Sequence, residues 1–565
     1  MYKLEYQKWL TVKGLDKEFL NELKEMNEEE KEDAFYKSLE FGTGGMRGII
    51  GAGINRMNTY TIRKANYGFG KYLSLLYPNE VLRGVVIAHD NRNKSVEFAK
   101  ESACVLASFG IKSYIFESLR TTPELSFAVR HLNAIGGIVV TASHNPSKYN
   151  GYKIYDEDGC QLVPKYADQV IGYVNSVEDV FKIKYIEYNK AIESGLIEII
   201  GKEIDEAYLK LVDTVQLKPN VEKKIKIVFT PLHGTSAVIG VKALTNNGYE
   251  VIPVKEQMIP DPYFSTVKSP NPENKEAFEY AIRYGKENHA DLLIATDPDG
   301  DRLGVACLHN NEYILLTGNQ TGAIIVDYIL RTRKQQGTLP QKGMVYNTIV
   351  TSEFGATIAK SYGMNVVSTL TGFKFIGEQA KQIENTDYEF MFGYEESYGY
   401  VIKDFVRDKD SIQALLLISE IANIGKLKGK SLYDYLLFLY KEYGYYFEDL
   451  VNIVLEGVEG ANKIKEIMNY FRINKPKRII GNEVVKVEDY LQSIKYENGK
   501  EITIDLPKTN VLKFTMSDGS WFVLRPSGTE PKLKVYIAVK DISLKLSKKK
   551  NEYIKREVLK IINSI

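Results

Sequence analysis

The sequence predicts an α/β fold: three consecutive α/β domains, each built on a mixed or parallel sheet, followed by a C-terminal α+β domain. Three observations lead to this prediction. A chain of 565 residues is too long for a single hydrophobic core, so three to four domains are expected. Apolar strand-like runs alternate with helical stretches over most of the chain, as in right-handed parallel crossovers. Near the end of the chain, strand-like runs cluster without long helices between them.

The first domain is predicted to begin with helices and to continue as strands alternating with helices. The first forty residues have a helical pattern, with the charged run Glu28 to Asp33 on a solvated face. A glycine-rich segment, Phe41 to Gly48, comes next. The predicted elements after it are a strand at 85–88, a helix at 95–109 and strands at 112–116 and 138–140.

The same alternation begins twice more before the pattern changes. The strands predicted there lie at 226–229, 249–252, 292–295, 344–346, 365–367 and 390–392. Those predicted for the C-terminal domain lie at 511–514, 521–524 and 534–537. The lysine-rich segment 545–560 indicates a solvated terminal helix. The predicted domains are 1–203, 204–317, 318–440 and 441–565.

Composition and charge limit the classes of partner and location. Lysine and arginine number 74 against 73 aspartates and glutamates, a net charge of +1, so no global field attracts nucleic acid or an anionic membrane. Cys104, Cys160 and Cys307 form neither a disulfide framework nor a metal-binding spacing, which suits a reducing compartment. The charged N-terminus and the lack of a long apolar run predict a cytoplasmic protein. We expect no nucleic-acid or membrane partner, and a monomer or weak dimer.

A polar loop after the strand at 138–140 holds a candidate nucleophile. It reads Thr141-Ala142-Ser143-His144-Asn145-Pro146, and Lys153 follows ten residues after the serine. A serine exposed at a strand end, with a histidine beside it and a lysine nearby, fits a phosphate-carrying nucleophile. Because ligands of open parallel sheets bind beyond the carboxyl ends of the strands, this loop is a candidate site.

A second polar loop, Asp297-Pro298-Asp299-Gly300-Asp301-Arg302, directly follows the strand at 292–295. Three carboxylates at alternate positions offer oxygen ligands to a hard cation, and Mg²⁺ fits if a phosphate oxygen completes its coordination. A simple turn explains Asp-Pro and Asp-Gly, but not three acids and an arginine together. A phosphatase-type Asp-x-Asp nucleophile motif is the alternative, although Asp301 stands where threonine or valine is usual.

Two further polar loops are candidates for substrate recognition. Gly393-Tyr394-Glu395-Glu396-Ser397-Tyr398-Gly399 sets carboxylate and hydroxyl groups between glycines, which suits sugar hydroxyls that donate and accept hydrogen bonds, with an ordinary polar loop as the alternative. Arg525-Pro526-Ser527-Gly528-Thr529-Glu530 follows the strand at 521–524. Its arginine, two hydroxyls and glycine turn predict a phosphate clamp, with an ordinary tight turn as the alternative.

Together these motifs resemble those of the α-D-phosphohexomutase superfamily, in its phosphoglucomutase/phosphomannomutase family. Phe41 to Gly48, Thr141 to Lys153, Asp297 to Arg302, Glu395 to Gly399 and Arg525 to Glu530 occur in that family's order, and the match spans nearly the whole chain. The length and the segment Gly393 to Tyr398 are similar to the longer branch that also contains phosphopentomutases. Gly44 stands where serine is frequent. Tyr394 stands where glycine is usual, beside the expected sugar contacts.

The resemblance implies four domains around a central cleft that holds the site. Ser143 would carry a phosphoryl group, and its phosphate would hold one Mg²⁺ together with Asp297, Asp299 and Asp301. The residues around the transferring phosphoryl group would be Arg47, His144, Lys153 and Arg302. The residues that bind the sugar would be Thr371, Gly372, Glu395 and Ser397. Those that bind the non-reacting phosphate would be Arg525, Ser527, Gly528 and Thr529.

The implied reaction moves phosphate between C1 and C6 of a hexose phosphate. The seryl phosphate would pass to a sugar monophosphate, giving a bound sugar 1,6-bisphosphate that is both intermediate and activator. A cation with arginine and lysine supplies the charge neutralisation that phosphoryl transfer needs. Lys153 or His144 would be the general acid or base, with Lys153 favoured. Glucose phosphate is the expected substrate, and mannose and pentose phosphates are the alternative substrates. A phosphatase with an aspartate nucleophile and a non-catalytic sugar-phosphate sensor are distant alternative functions.

Overall fold

The computed structural model describes residues 2–42, 45–455, 457–527 and 532–565. The chain forms two compact units: residues 1–345 with 372–433, and residues 346–371 with 434–565. No helix in the described ranges is both long enough and apolar enough to cross a membrane.

The first unit begins with helices and a seven-stranded sheet. The helices are α1 (Tyr2–Thr11), α2 (Lys17–Glu25), α3 (Glu28–Phe35), α4 (Thr59–Leu76), α5 (Ser95–Ala107), α6 (Thr122–His131), α7 (Pro164–Asn175), α8 (Tyr188–Glu193) and α9 (Lys202–Val212). The strands are β1 (Phe41–Gly42), β2 (Gly45–Ile49), β3 (Val85–His89), β4 (Ser113–Phe116), β5 (Gly136–Val140), β6 (Tyr149–Tyr155) and β7 (Ile197–Ile200). The sheet order is β1-β2-β6-β5-β3-β4-β7.

The burial of each strand explains why some strands of this sheet could be predicted from the sequence and β6 could not. β3 and β5 are buried at every position, because helices cover both faces of the parallel part of the sheet. β6 runs antiparallel to β5 and carries polar residues, so its pattern gave no strand signal. The sheet is therefore mixed, with β5, β3, β4 and β7 parallel. The predicted helix at 95–109 ends earlier, at Ala107.

A second sheet in the same unit contains five strands. The elements are β8 (Lys226–Thr230), α10 (Ser236–Thr245), β9 (Glu250–Pro253), α11 (Glu279–Asn288), β10 (Leu292–Thr296), β11 (Leu303–His309) and β12 (Glu312–Leu316). Their order is β12-β11-β10-β8-β9, with β10, β8 and β9 parallel and β11 and β12 antiparallel. The core beneath this sheet forms around Val228, Phe278 and Leu293.

The next segment of the chain contains the third set of helices and strands. The elements are α12 (Gly318–Gln335), β13 (Gly343–Thr348), α13 (Glu353–Ser361), β14 (Asn365–Thr369), α14 (Phe373–Ile383), β15 (Glu389–Glu395), β16 (Gly399–Val401), α15 (Ser411–Leu427) and α16 (Leu432–Tyr443). β15 and β16 pair as an antiparallel hairpin in the first unit. The predicted sugar-recognition loop forms the turn of this hairpin.

The second unit contains an antiparallel α+β fold. Its later elements are β17 (Tyr445–Val454), α17 (Gly457–Ile473), β18 (Arg478–Ile479), β19 (Asn482–Asp489), β20 (Ile494–Glu497), β21 (Lys500–Thr503), β22 (Leu512–Met516), β23 (Trp521–Pro526), β24 (Lys532–Asp541) and α18 (Leu544–Ser564). The strand order is β17-β24-β23-β22-β19-β20-β21, with β18 beside β19. α18 confirms the predicted terminal helix, and Phe471, Phe514 and Phe522 pack in the core.

Glu124 is a buried carboxyl in the first turn of α6. Its Oε2 accepts a hydrogen bond from the Thr121 backbone N at 3.1 Å, and its own backbone N donates to Thr121 Oγ1 at 3.1 Å, which together form a capping box. Burial, followed by the negative charge of Asp205, raises the pKa of Glu124 to about 8. This carboxyl therefore keeps its proton in the folded protein at pH values where the unfolded chain has lost it.

We expect Glu124→Gln to stabilise the protein at about pH 8 and to have little effect at about pH 5. The unfolded carboxyl titrates near its ordinary value of 4.5, so wild-type stability falls as the pH rises from there to about 8. Glutamine keeps the capping box without a titrating group. The melting temperature at about pH 8 should exceed the wild-type value by about 2 °C or more, measured by circular dichroism. The exposed Glu97→Gln is the control, and an equal shift for Glu124→Gln at both pH values would contradict this account.

Candidate active site

Ser143 lies in the loop that joins β5 to β6. Its φ is 52°, in the left-handed region, and its backbone N donates to Thr141 Oγ1 at 2.8 Å. Its Oγ donates to Asp297 Oδ2 at 2.7 Å and lies 3.2 Å from His144 Nδ1. The serine was predicted to be exposed, but it is 4% exposed because the loop after β10 covers it.

Lys153 reaches this loop because β6 returns antiparallel to β5. Residue 153 pairs with Val139 across the two strands, so its side chain lies near the end of β5. Its Nζ is 2.9 Å from Asp299 Oδ2 and 3.5 Å from Asp301 Oδ2. Burial lowers the pKa of Lys153, but the two carboxylates outweigh burial and raise the pKa above its ordinary value. The side chain of Lys153 is therefore protonated at neutral pH.

The three predicted metal ligands, Asp297, Asp299 and Asp301, converge after β10. One carboxylate oxygen from each lies within 4.8 Å of the others, and all three residues are buried. Asp297 Oδ1 accepts from the backbone N of Asp301 (3.1 Å) and of Arg302 (2.9 Å), which closes the loop. Within the described ranges, neither the buried Oδ1 of Asp299 nor that of Asp301 accepts a hydrogen bond. These orphaned oxygens fit a divalent cation with oxygen ligands.

The carboxylates differ in their affinity for protons. Burial and the charges of Asp299 and Asp301 raise the pKa of Asp297 well above its ordinary value. Burial also disfavours the ionised form of Asp299, but the charges of Lys153 and Lys409 and hydrogen bonds with Lys153 and Asp297 together lower the pKa of Asp299. Burial and then the guanidinium groups of Arg302 and Arg47 lower the pKa of His144 well below its ordinary value. His144 is therefore neutral at pH 7.

Arg47 and Arg302 add positive charge beside the serine loop. Arg47 lies on β2 and donates through Nη1 to Asn145 Oδ1 at 2.8 Å. Arg302 ends the Asp297 loop, and its Nη1 forms a short ion pair with Glu273. Both arginines enter the electrostatic surroundings of His144. Their predicted place around one phosphoryl group remains a prediction.

The predicted sugar-recognition loop lies directly against the Asp297 loop. The backbone N of Leu303 donates to Tyr398 O at 3.0 Å, and Arg302 pairs with Gly399 in a β-bridge. Glu395 Oε1 accepts from the Gly372 backbone N at 2.8 Å. Burial raises the pKa of Glu395 to about 7. These contacts bring the predicted sugar-binding residues Glu395 and Gly372 together.

Tyr394 lies beside the predicted sugar-binding residues in the sequence, at a position where the family usually has glycine. It is 1% exposed and stacks on Phe392 with ring centroids 5.1 Å apart. Gly322 of α12 makes room for the ring, since a Cβ there would lie 2.5 Å from Tyr394 Cδ2. Tyr394 is therefore a core residue, whereas the half-buried Ser397 stays in the hairpin turn.

Lys409 is a site residue that the sequence reading missed. Its Nζ lies 3.1 Å from Asp301 Oδ2 and 3.1 Å from Asp408 Oδ1, and its side chain is 13% exposed. A Cβ at Gly399 would lie 2.2 Å from Lys409 Cδ, so glycine is needed there. In sequence it lies in a charged run, Arg407 to Asp410, which is typical of a solvated surface. No spacing in that run indicates a site.

The predicted phosphate clamp belongs to the second unit. Arg525 lies near the end of β23, with Nη1 3.4 Å from Tyr536 Oη. The backbone N of Ser527 donates to Lys532 O at 2.8 Å across the loop between β23 and β24. Gly528 and Thr529 lie outside the described residues. Thr371 is also in the second unit, at the end of the segment 346–371.

Four sequence families match in order along this chain. They are phosphoglucomutase/phosphomannomutase α/β/α domain I (residues 38–180), domain II (206–310), domain III (317–443) and the C-terminal domain (471–544). Together with the Ser143 loop and the adjacent aspartate loop, these four matches define the class of protein. The chain belongs to the phosphoglucomutase/phosphomannomutase family and is a phosphosugar mutase. The fold class predicted from the sequence, three α/β domains and a C-terminal α+β domain, is confirmed.

Relatives of this chain include phosphoglucomutases. The phosphoglucomutase of Staphylococcus aureus strain MRSA252 is 40% identical over 517 residues, which cover 90% of this chain and 91% of the relative. The phosphoglucomutase of strain bovine RF122 is 40% identical over 515 residues, with the same coverage. The phosphoglucomutase pp63/parafusin from Paramecium, in its open form, shares the fold with a TM-score of 0.67 at 19% identity, covering 94% of this chain and 95% of that one.

We expect Asp301→Asn to weaken binding of a divalent cation. The change removes a charged ligand oxygen from the aspartate cluster, so the Kd for Mn²⁺ should rise at least about tenfold. Electron paramagnetic resonance of free Mn²⁺ measures this, with circular dichroism to verify folding.

Asp291→Asn is the matched control for this measurement. Asp291 lies in the same sheet region, pairs with Lys426 at 2.5 Å and is not among the three clustered carboxylates. Its Mn²⁺ affinity should equal that of the wild type. An unchanged Kd in folded Asp301→Asn would contradict the assignment of the cation site.

Proposed function

We propose that this chain is a phosphoglucomutase that moves phosphate between C1 and C6 of glucose through phosphorylated Ser143 and a bound sugar 1,6-bisphosphate. One observation carries the proposal: the Ser143 Oγ lies 2.7 Å from Asp297, in a pocket where Lys153 and two further carboxylates converge. A buried hydroxyl beside fixed charges of both signs suits a group that receives and returns a phosphoryl group.

We propose Mg²⁺ as the cation, held by Asp297, Asp299, Asp301 and an oxygen of the seryl phosphate. The buried oxygens of these carboxylates match the preference of a hard cation for oxygen ligands. When bound, Mg²⁺ supplies charge neutralisation at the phosphoryl oxygens. One ion per chain follows from the single aspartate cluster found in the described ranges.

Lys153 and His144 have complementary protonation states. Lys153, whose pKa is raised by the two carboxylates, keeps its proton and can donate it to a leaving oxygen. His144, with its lowered pKa, is neutral and lies 3.2 Å from the Ser143 Oγ. We therefore assign Lys153 as the general acid and base, and His144 as the residue that orients the serine. Arg47 and Arg302 supply charge to the transferring phosphoryl group.

The remaining predicted residues would bind the substrate. Glu395 and Ser397, with the loop of Thr371 and Gly372, offer acceptors and donors for sugar hydroxyls. Arg525, Ser527, Gly528 and Thr529 are proposed to hold the phosphate that does not react. Because the bisphosphate must present each phosphate to Ser143 in turn, one clamp has to accept either phosphate.

A comparison of sugar phosphates tests the proposed substrate. We expect kcat/KM for glucose 1-phosphate to exceed the values for mannose 1-phosphate and ribose 1-phosphate, measured with Mg²⁺ and glucose 1,6-bisphosphate. The 40% identity to phosphoglucomutases supports glucose. A higher kcat/KM for mannose or ribose phosphate would reassign the substrate, and no turnover of any of them would contradict mutase activity.

We expect Ser143→Ala to abolish both turnover and incorporation of labelled phosphate from glucose 1,6-bisphosphate. The change removes the oxygen that would carry the phosphoryl group. The label on the wild type should be stable in acid, as a phosphoserine is, and should resist hydroxylamine. Ser176→Ala, at the end of α7, is the control and should be labelled like the wild type. Equal labelling of Ser143→Ala, or a hydroxylamine-labile label, would favour Asp297 as the nucleophile.

A further inference from the structure

Arg92 donates to the main chain of the serine loop at four points. Its Nη2 lies 2.5 Å from Ser143 O and 2.6 Å from Asn145 O. Its Nη1 lies 2.9 Å from Pro146 O and 3.0 Å from Tyr149 O. The side chain is fully buried. A guanidinium has five donors in a rigid plane, so this one group fixes the spacing of all four carbonyl oxygens.

Neighbouring residues hold Arg92 in one orientation. Its Nε lies 3.2 Å from Asp90 Oδ2, and Asp90 is also buried. Asp90 Oδ1 in turn accepts from the Arg92 backbone N at 2.9 Å and from Ser95 Oγ at 2.7 Å. The ring of Phe264 lies 5.0 Å from the Arg92 Cζ. The guanidinium is therefore preorganised by an ion pair on one side and an aromatic ring beside it.

The conformation of Ser143 depends on such support. A φ of 52° is unfavourable for a residue other than glycine, and it persists only where the surroundings impose it. Thr141 accepts a hydrogen bond from the Ser143 backbone N, while Arg92 donates to the Ser143 carbonyl. Both sides of the residue are thus fixed. The result is an Oγ that lies 2.7 Å from Asp297 Oδ2.

We propose that Arg92 is a positioning residue for phosphoryl transfer: it holds Ser143 in the left-handed conformation that directs its Oγ to the aspartate cluster. This inference rests on the proposed function of Ser143 as the phosphoryl carrier. The contacts of Arg92 are with carbonyl oxygens of the loop. Its removal therefore affects the rate of transfer, whereas sugar binding belongs to the Glu395 loop.

Arg92→Lys tests the proposal with little change in charge. An ammonium has three donors at one point and cannot span the four carbonyls. We expect kcat for glucose 1-phosphate to fall about 100-fold, because displacement of a reacting atom by about 1 Å has an effect of that size. KM should stay within about threefold of the wild type, because the substitution does not alter the residues proposed to bind the sugar phosphate. Arg92→Ala should lower kcat further. Guanidinium at millimolar concentration should then raise the kcat of Arg92→Ala about tenfold, because it can occupy the space left by the arginine side chain.

Arg63→Lys is the matched control. Arg63 lies on α4 in the same unit and pairs with Glu101 at 2.5 Å. The same chemical change there should leave kcat and KM at wild-type values. Thermal unfolding of each variant is measured alongside.

Hydrogen exchange gives a readout that does not depend on activity. Amides of the segment 141–149 should exchange faster in Arg92→Lys than in the wild type, whether or not a sugar phosphate turns over. Unchanged exchange there, a kcat within about threefold of the wild type, or a rise in KM with kcat retained would overturn the positioning role. Failure of Arg92→Lys to fold would also overturn it, because Arg92 would then serve the fold as a whole. A wild type that turns over no sugar phosphate would contradict the proposed function instead.

Discussion

The site depends on positive charges that compensate three carboxylates, which the fold buries side by side. Asp297, Asp299 and Asp301 lie within 4.8 Å of one another in a region with almost no solvent, where like charges repel strongly. Lys153 and Lys409 approach them to within 2.9 and 3.1 Å. Two features of the chain follow from this requirement. β6 must return beside β5 to deliver Lys153, and position 399 must be glycine to admit Lys409.

The backbone of the aspartate loop is held at two points by the N-terminal ends of helices α6 and α10. The Thr122 backbone N, at the start of α6, donates to Asp299 O at 2.8 Å, and the Thr235 backbone N donates to Pro298 O at 2.8 Å. Gly300 has a φ of 68°, and a Cβ there would lie 2.7 Å from Thr121 Cγ2. Because two helix ends hold its backbone and its three aspartates are buried, this loop is expected to open less readily than an exposed surface loop of the same length.

The parts of the structure that could be predicted are those that leave a recognisable pattern in a short stretch of the sequence. β3, β5 and β10 were found because a strand buried on both faces is a continuous apolar run. The polar β6 lacked such a run, and Lys409 became visible only through the tertiary contacts that bury it. Ser143 was placed correctly after a strand, but its burial could not be predicted, because the residues that cover it are 154 positions away in sequence. The core position of Tyr394 on β15 could not be predicted for a similar reason: Gly322, which makes room for its ring, lies far away in sequence on α12.

The proposed phosphoserine and the proposed cation would favour each other, because phosphorylation removes the hydrogen bond between Ser143 and Asp297. In the unmodified protein the Ser143 Oγ donates to Asp297 Oδ2. Phosphorylation replaces the proton on Oγ with phosphorus, so this carboxylate oxygen loses its donor and becomes available to a cation. A seryl phosphate also adds a charge of about −1.5 to −2, which a divalent cation balances. Either group alone would disturb the balance between the three carboxylates and the two lysines, whereas both together leave the net charge of the pocket nearly unchanged. If Ser143 carries the phosphoryl group, as we propose, the same aspartate cluster would link the phosphorylation state of Ser143 to the occupancy of the cation site.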